Sequence, residues 1–453
     1  MLDQKLNKFL HENQVSFIRD ISLLVAQPSV SARSQGIDEC AELVRRMTEE
    51  IGADTRIIKI DSSAPIIYGE VSSTLSKKTI LFYNHYDVQP EEPLEKWESP
   101  PFKPEVRGEK LYGRGTSDDK GELVARLKVV ESFIKVHGQP PCNIKFCFEG
   151  EEETGSLHLN EYIGQNQDLF RADAVIWEGG GAIDDSGTPI VTLGLKGMLA
   201  VEFILKTIST DAHSMYAPVL PSAPWKLVRM LSLITNKKGE IMIPEWNQKI
   251  RTLTDEEVNV LNNQPFNAET ILRTYGVDDL PPGMSNSDAR KALVDGPTAN
   301  ISGIWAGYTG PGIKSVLPAE AHCRMDFRLA SDQDPKEQKE RLRSYLDNNG
   351  FKDIQMSVIS SLSPARTNYR DPFVKAAVDA GDEVFQRKTI TRLSDPGSGP
   401  MFVFRQRYEV PVVSLGISHT GALIHAPNEH IRLDLLENGM LWIARTISNF
   451  ASM

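Results

Sequence analysis

At 453 residues and 40% hydrophobic content, the chain has room for about three domains with substantial cores. Its 50 basic and 61 acidic residues leave a net charge of -11, which disfavours nucleic acid or an anionic membrane as a partner. Cys40, Cys142, Cys147 and Cys323 form no spaced framework, the opening MLDQKLNKFLHENQ has no apolar leader core and no later run approaches a membrane span, so a soluble, cytoplasmic, reduced protein is expected.

Apolar residues at helical spacing (Phe17, Ile18, Ile21, Leu24, Val25) predict a helix from Val15 to Val25, and a second from Cys40 to Ile51 stops at Gly52. Thr55 to Ile60 and Ile66 to Val71 read as short strands, and Thr79 to Tyr83 (TILFY) as a central one. His85 and Asp87 lie just past it. Residues two apart in extended chain share a face, so both side chains point the same way at the carboxyl edge of the sheet, where open α/β sheets bind ligands. A buried histidine satisfied by a nearby aspartate is the structural alternative.

Leu111 to Gly121 (LYGRGTSDDKG) is a glycine-rich loop that opens a helix from Glu122 to Val136. It lacks the spacing of a phosphate cradle, and Asp118 and Asp119 would repel phosphate. Acidic groups there suit a metal better. Asn143 to Phe148 alternates as a strand and ends at Gly150, followed by Glu151, Glu152 and Glu153. Three adjacent like charges need compensation, either from water around a solvated acidic turn or from a bound cation. Ala174 to Trp177 is a further apolar strand, with Glu178 directly after it.

The middle of the chain reads strand (Gly197 to Thr207), helix (Ala223 to Ile234), strands (Ala299 to Trp305, Ala321 to Leu329), helix (Pro335 to Leu346), strand (Ile354 to Ile359). That βαββαβ order is a ferredoxin-like split unit. Asn236 to Gly296 is expected to be an irregular insertion within it, since a plain loop of that length is uncommon. Val410 to Leu415 is the last clear strand, followed by HTGALIHAPNEH with His419, His425 and His430. Four apolar strands thus carry His, Asp or Glu at or beyond their carboxyl ends, a donor set that suits zinc, manganese or cobalt. A calcium-dependent acidic surface would use oxygen alone and leave His85 and His425 idle.

His85-x-Asp87, GRGTSDDKG, Glu152-Glu153, Glu178 and His425 together resemble the metal-site motifs of the M20 metallopeptidases. HYDVQP, Trp97, PPF at Pro100 to Phe102 and LYGRG are most similar to the carnosinase-like dipeptidase branch. The resemblance runs over essentially the whole chain. It implies two divalent ions bridged by Asp118, one also held by His85 and Glu178, the other by Glu153 and His425. Asp87 would orient His85, Glu152 would be the general base, and the Asp118–Asp119 peptide would be cis. The fold it implies is an α/β, mixed-sheet catalytic domain (1–195 and 366–453) with helices on both faces, interrupted by an α+β ferredoxin-like lid and dimerisation domain (196–365).

By the same resemblance His213 would cross a homodimer interface to stabilise the oxyanion, while Asn300, Arg328, Gly397 and Ser398 would contact substrate. A capping role in a turn is the alternative for His213, and a solvent-facing strand position the alternative for Arg328. Two positions depart from the pattern: Asn84 stands where glycine is usual, and Glu178 where the dipeptidase branch usually has Asp and the deacylases Glu. A dipeptide or short peptide is the expected substrate, with an N-acyl amino acid as the close alternative. A catalytically silent metal-binding protein is the distant one.

Overall fold

The computed structural model describes residues 3–60, 63–264 and 266–453. Met1 and Leu2 of the opening segment, and Pro265 of the insertion, lie outside the described residues. In chain order the principal strands are β1 (Asp54–Ile58), β2 (Ile66–Val71), β3 (Thr79–His85), β4 (Asn143–Glu149), β5 (Ala174–Trp177) and β6 (Ile190–Thr192). They continue with β7 (Gly197–Lys206), β8 (Thr298–Ala306), β9 (Glu320–Leu329), β10 (Gln355–Leu362), β11 (Ile390–Arg392) and β12 (Val412–Ser414).

The chain divides into two units. Met1–Gly194, Arg366–Leu393 and Pro400–Met453 form the first; Leu195–Ala365 and a short return, Ser394–Gly399, form the second.

In the first unit an eight-stranded mixed sheet has the order β1-β2-β4-β3-β5-β12-β6-β11. Its centre is parallel: β4 with β3, β3 with β5, and β5 with β12. β3 and β5 are largely apolar runs and β4 alternates, and all three are buried along nearly their whole length, as parallel strands covered by helices must be. Parallel alignment puts the carboxyl ends of all four on one edge. The helix Ile37–Glu50 packs on β1 and β2, and Lys120–His137 packs on β3. Among the described residues no helix is long and apolar enough to cross a membrane.

The second unit is built on a four-stranded antiparallel sheet, β8-β9-β7-β10, whose chain order and strand order are those of a ferredoxin-like split unit. Alternation along β7 and β9 buries Leu199, Val201, Phe203, Cys323, Met325 and Phe327 on one face. Helices Ala223–Ile234 and Pro335–Asn348 cover that face with Leu227, Met230, Leu342 and Leu346.

The insertion is not irregular. It holds three helices, Asp255–Asn263, Ala268–Tyr275 and Asn286–Asp295, capped by Thr254, Asn267 and Ser285. Thr254 with Glu257 and Ser285 with Asp288 form reciprocal capping boxes. Their signatures stand in the sequence, but the helices are short and polar, so periodicity alone does not find them. The terminal helix Leu433–Ala451 and Pro372–Phe385, which packs against it, are likewise absent from the sequence reading.

Candidate metal centre

His85 ends β3, and its ring is fixed at both nitrogens. Nδ1 lies 3.0 Å from the Asp87 carbonyl oxygen, to which it donates, leaving Nε2 facing Asp118 Oδ1 at 3.0 Å and Glu178 Oε2 at 3.2 Å. The Asp87 carboxylate sits 3.4 Å from Nδ1, and its stronger work is elsewhere. It accepts the backbone N–H of Glu152 and of Glu153, at 3.2 and 3.0 Å, and so sets the short turn after β4.

That turn gives its three glutamates three different environments. Glu151 faces away, accepting from Ala64 N–H and pairing with His158 at 2.7 Å. Glu153 is gripped by Gln89 and meets His425 Nε2 at 3.1 Å. The Glu152 carboxylate accepts no hydrogen bond and contacts no cation among the described residues, and burial with Glu178, Glu153 and Asp118 nearby holds its pKa well above the ordinary value.

Asp118 is the shared member. Its Oδ1 faces His85 and its Oδ2 lies 2.9 Å from His425 Nε2. Two donor triads result, His85–Asp118–Glu178 and Asp118–Glu153–His425, with the ligand atoms of each all within 4.8 Å of one another. One imidazole and two carboxylates in each is a set suited to a borderline divalent ion rather than to calcium. The Asp118–Asp119 peptide is cis.

Without a cation the carboxylates of each triad favour a protonated imidazole. Two carboxylate contacts, Asp118 first and then Glu153, push the His425 pKa up to about 10; burial works against the charge of His85, but Asp118, Asp87 and Glu178 overcome it. Asp118 is in turn held below the usual carboxylate range, its burial outweighed by the two histidines. A raised histidine pKa stabilises the fold fully below the ordinary value of 6.5, and that stability is lost as pH rises through about 10. Chelated protein should therefore lose thermal stability between pH 6.5 and 10 while its affinity for a divalent ion climbs, because loading must expel the His425 proton. Titration calorimetry across this window checks it; an affinity independent of pH would contradict the paired-imidazolium arrangement.

Several groups that organise the centre escape a reading of the sequence. Glu429, fully buried, accepts from the backbone N–H of Gly115, Ser117 and Asp118 and from Arg114 Nη1, so the glycine-rich loop is already filled by the chain's own carboxylate. Arg126, also fully buried, donates to the carbonyls of Tyr83, Ile176, Trp177 and Leu415 and to Asn84 Oδ1 at 2.5 to 3.3 Å. It thereby ties the ends of β3, β5 and β12 beneath His85 and Glu178. Its signal is a lone arginine in the apolar stripe of Leu123, Leu127 and Val130. Glu122 Oε1 accepts from the backbone of Ile417 and Ser418, in a slot where a Cβ on Gly179 or Gly416 would come within 2.3 or 2.1 Å of its carboxylate.

The other residues singled out from the sequence lie in the second unit. Arg328 Nη1 donates to Ser398 Oγ at 2.7 Å, and Ser398 donates to the Gly197 carbonyl at 3.1 Å. Gly397 is held by its N–H to Asp395 Oδ1 and by its carbonyl, which accepts from Lys196 N–H. Asn300 bonds to Asp326 on the neighbouring strand. His213 is exposed, and its Nδ1 accepts from Met215 N–H, the capping arrangement of a turn.

The profile of peptidase family M20/M25/M40 matches residues 81–449. The chain belongs to that family. It is a metallopeptidase, and its fold follows suit: a metallo-carboxypeptidase of the family from Sulfolobus solfataricus superposes with a TM-score of 0.92, 31% identical, over 96% of this chain and 99% of that one. Among curated relatives, a Cys-Gly metallodipeptidase from Candida albicans is 29% identical over 74% of this chain and 72% of its own length. Human Beta-Ala-His dipeptidase is 28% identical over 84% of this chain and 76% of its own. In the metallopeptidase two groups that could hold a metal ion thus share Asp118.

Proposed function

We propose that this metallopeptidase hydrolyses a dipeptide, or a short peptide with a free carboxylate, with Glu152 as general base. The observation that carries the reading is Asp118 shared by two triads, with the unpaired Glu152 carboxylate beside them. His85, Asp118 and Glu178 would hold one divalent ion, and Asp118, Glu153 and His425 the other; zinc or manganese fits best, with cobalt as a third candidate. Bound there, the ions would polarise the amide carbonyl and acidify water. Glu152 takes the proton of the attacking water and delivers it to the leaving nitrogen. Asp87 positions both His85 and the Glu152–Glu153 turn.

Asn300, Arg328, Gly397 and Ser398 are the proposed substrate contacts, and His213 the group acting across a homodimer. Two facts support these roles. Arg328 pairs with no carboxylate among the described residues, which suits it to a substrate's own. The edge strand β8 leaves Ile301, Ile304 and Trp305 46, 51 and 40% exposed, and an uncovered apolar edge invites a second copy. A cytoplasmic location is consistent with four free, buried cysteines.

Glu178 favours a second reading, hydrolysis of an N-acyl amino acid. Protein loaded with zinc, manganese or cobalt should cleave free-carboxylate dipeptides, and chelator should abolish this. Turnover of N-acyl amino acids alone would select the second reading, and turnover of neither class would remove both.

A further inference from the structure

The first unit contains a cavity of about 550 Å³ whose walls include Arg107, Lys110, Arg432 and His419, none of which has a role in the metal centre. Three short strands, Glu105–Arg107, Lys110–Tyr112 and His430–Arg432, form a small antiparallel sheet there, and Lys110 stands directly opposite Arg107 on one side and Arg432 on the other. Directly opposed residues share a face, so three cations lie in one row, an arrangement that destabilises a sheet unless it is neutralised.

The chain neutralises the row unevenly. Arg432 is satisfied: Nε and Nη2 donate to the Asp434 carboxylate, and Nη1 donates to the Asp185 carbonyl at 2.9 Å. Arg107 stacks on Tyr112 and donates to Ser99 and Glu105, but its Nη2 is buried without a hydrogen-bond partner, 3.7 Å from Glu98. The Lys110 amine makes no hydrogen bond or ion pair among the described residues. His419 adds a further unsatisfied group. It is 2% exposed, its Nδ1 has no partner, and its Nε2 is 4.0 Å from Asp185 Oδ1, which already accepts from Gly421 N–H.

A ring 5.0 Å from His419 belongs to His430, whose Nε2 is likewise unpartnered, and two such imidazoles could be read as a metal site. The surrounding charge decides against it. Burial first, then His430, Arg432 and Lys110, push the His419 pKa down to about 4 against the opposing Asp185, so the ring is neutral at pH 7 in a field that repels a cation and draws an anion. The carboxylates of the cavity leave that field standing: Asp434 is spent on Arg432, Asp185 on Gly421, and Glu109 is exposed to water.

We infer that this cavity binds a small oxyanion, phosphate either free or as the monoester of a compact metabolite, between Lys110, Arg107 and His419. The volume lies within the range of ligand pockets and leaves room for a body attached to the anion. Its place gives occupancy a consequence. His419 and His430 are the two feet of the loop that carries His425, and His430 N–H donates to the Ala422 carbonyl at 3.0 Å, so an anion held by His419 braces that loop at its base.

The test titrates inorganic phosphate, glucose 6-phosphate and AMP calorimetrically into the metal-loaded full chain, and follows backbone hydrogen exchange with and without phosphate. Phosphate should bind and slow exchange in residues 105–112 as well as 419–432. Lys110→Glu should weaken binding about tenfold or more, the usual loss for a charge-assisted hydrogen bond, and His419→Gln about fivefold, each with bound metal unchanged. Tighter binding of an ester assigns a metabolite and tighter binding of phosphate the free ion; either upholds the site. Binding of none of the three, binding unmoved by both variants, or protection that spares 105–112 overturns the inference, the last two placing the anion elsewhere.

Discussion

Glu152→Gln is expected to keep the full metal complement and to lose turnover by a factor on the order of 10² to 10⁴, the range of a removed general base. Glutamine has nearly the same shape, and Glu152 belongs to neither triad, so no member of a metal-binding group is removed. Its backbone stays pinned through N–H to Asp87. What disappears is a carboxylate near the centre that has no partner to neutralise it among the described residues. Metal content by mass spectrometry, measured with kcat on the same preparation, decides the matter: a fully loaded variant with more than a tenth of wild-type kcat would assign the base elsewhere. Mixing this variant with His213→Ala subunits should recover part of the activity if His213 serves the partner's site, and strict absence of recovery would remove that role.

Asp118→Asn should have the largest effect on metal content. Each oxygen of Asp118 faces a different histidine, Oδ1 toward His85 and Oδ2 toward His425. The amide supplies one carbonyl oxygen and no charge, so one triad loses a ligand and both lose the anion that neutralises their cation. Bound metal should fall from two ions to fewer than one, whereas His425→Ala, which strips a single triad, should leave one. Equal loss in the two variants would mean that Asp118 does not bridge.

Why some of this is readable in the sequence and some is not has a physical basis. Strands β3 and β5 are apolar runs and β4 alternates, and the ends of all three are marked by an abrupt change to His, Asp and Glu, so both the sheet and its ligand-bearing edge can be located from the chain alone. The division of labour among Glu151, Glu152 and Glu153 cannot, because it depends on Asp87, Gln89 and His158 arriving from other segments. Glu429 and Arg126 are hidden for the same reason. Their partners are mostly backbone groups, and backbone carries no sequence signature. The helices of the insertion carry their sequence signal in their caps rather than in apolar periodicity.

Arg126 has one more implication. Because a single guanidinium binds three strand ends, the attachment points of His85 and Glu178 are locked when the chain folds, and conformational entropy is spent at that stage rather than on capture of the ion. His425 is placed otherwise: it follows β12 on a loop, with a left-handed backbone (φ 61°) and a ring 51% open to solvent. The two candidate sockets are therefore unequal by construction, the His85 one tied to the sheet and the His425 one carried on a solvent-facing loop.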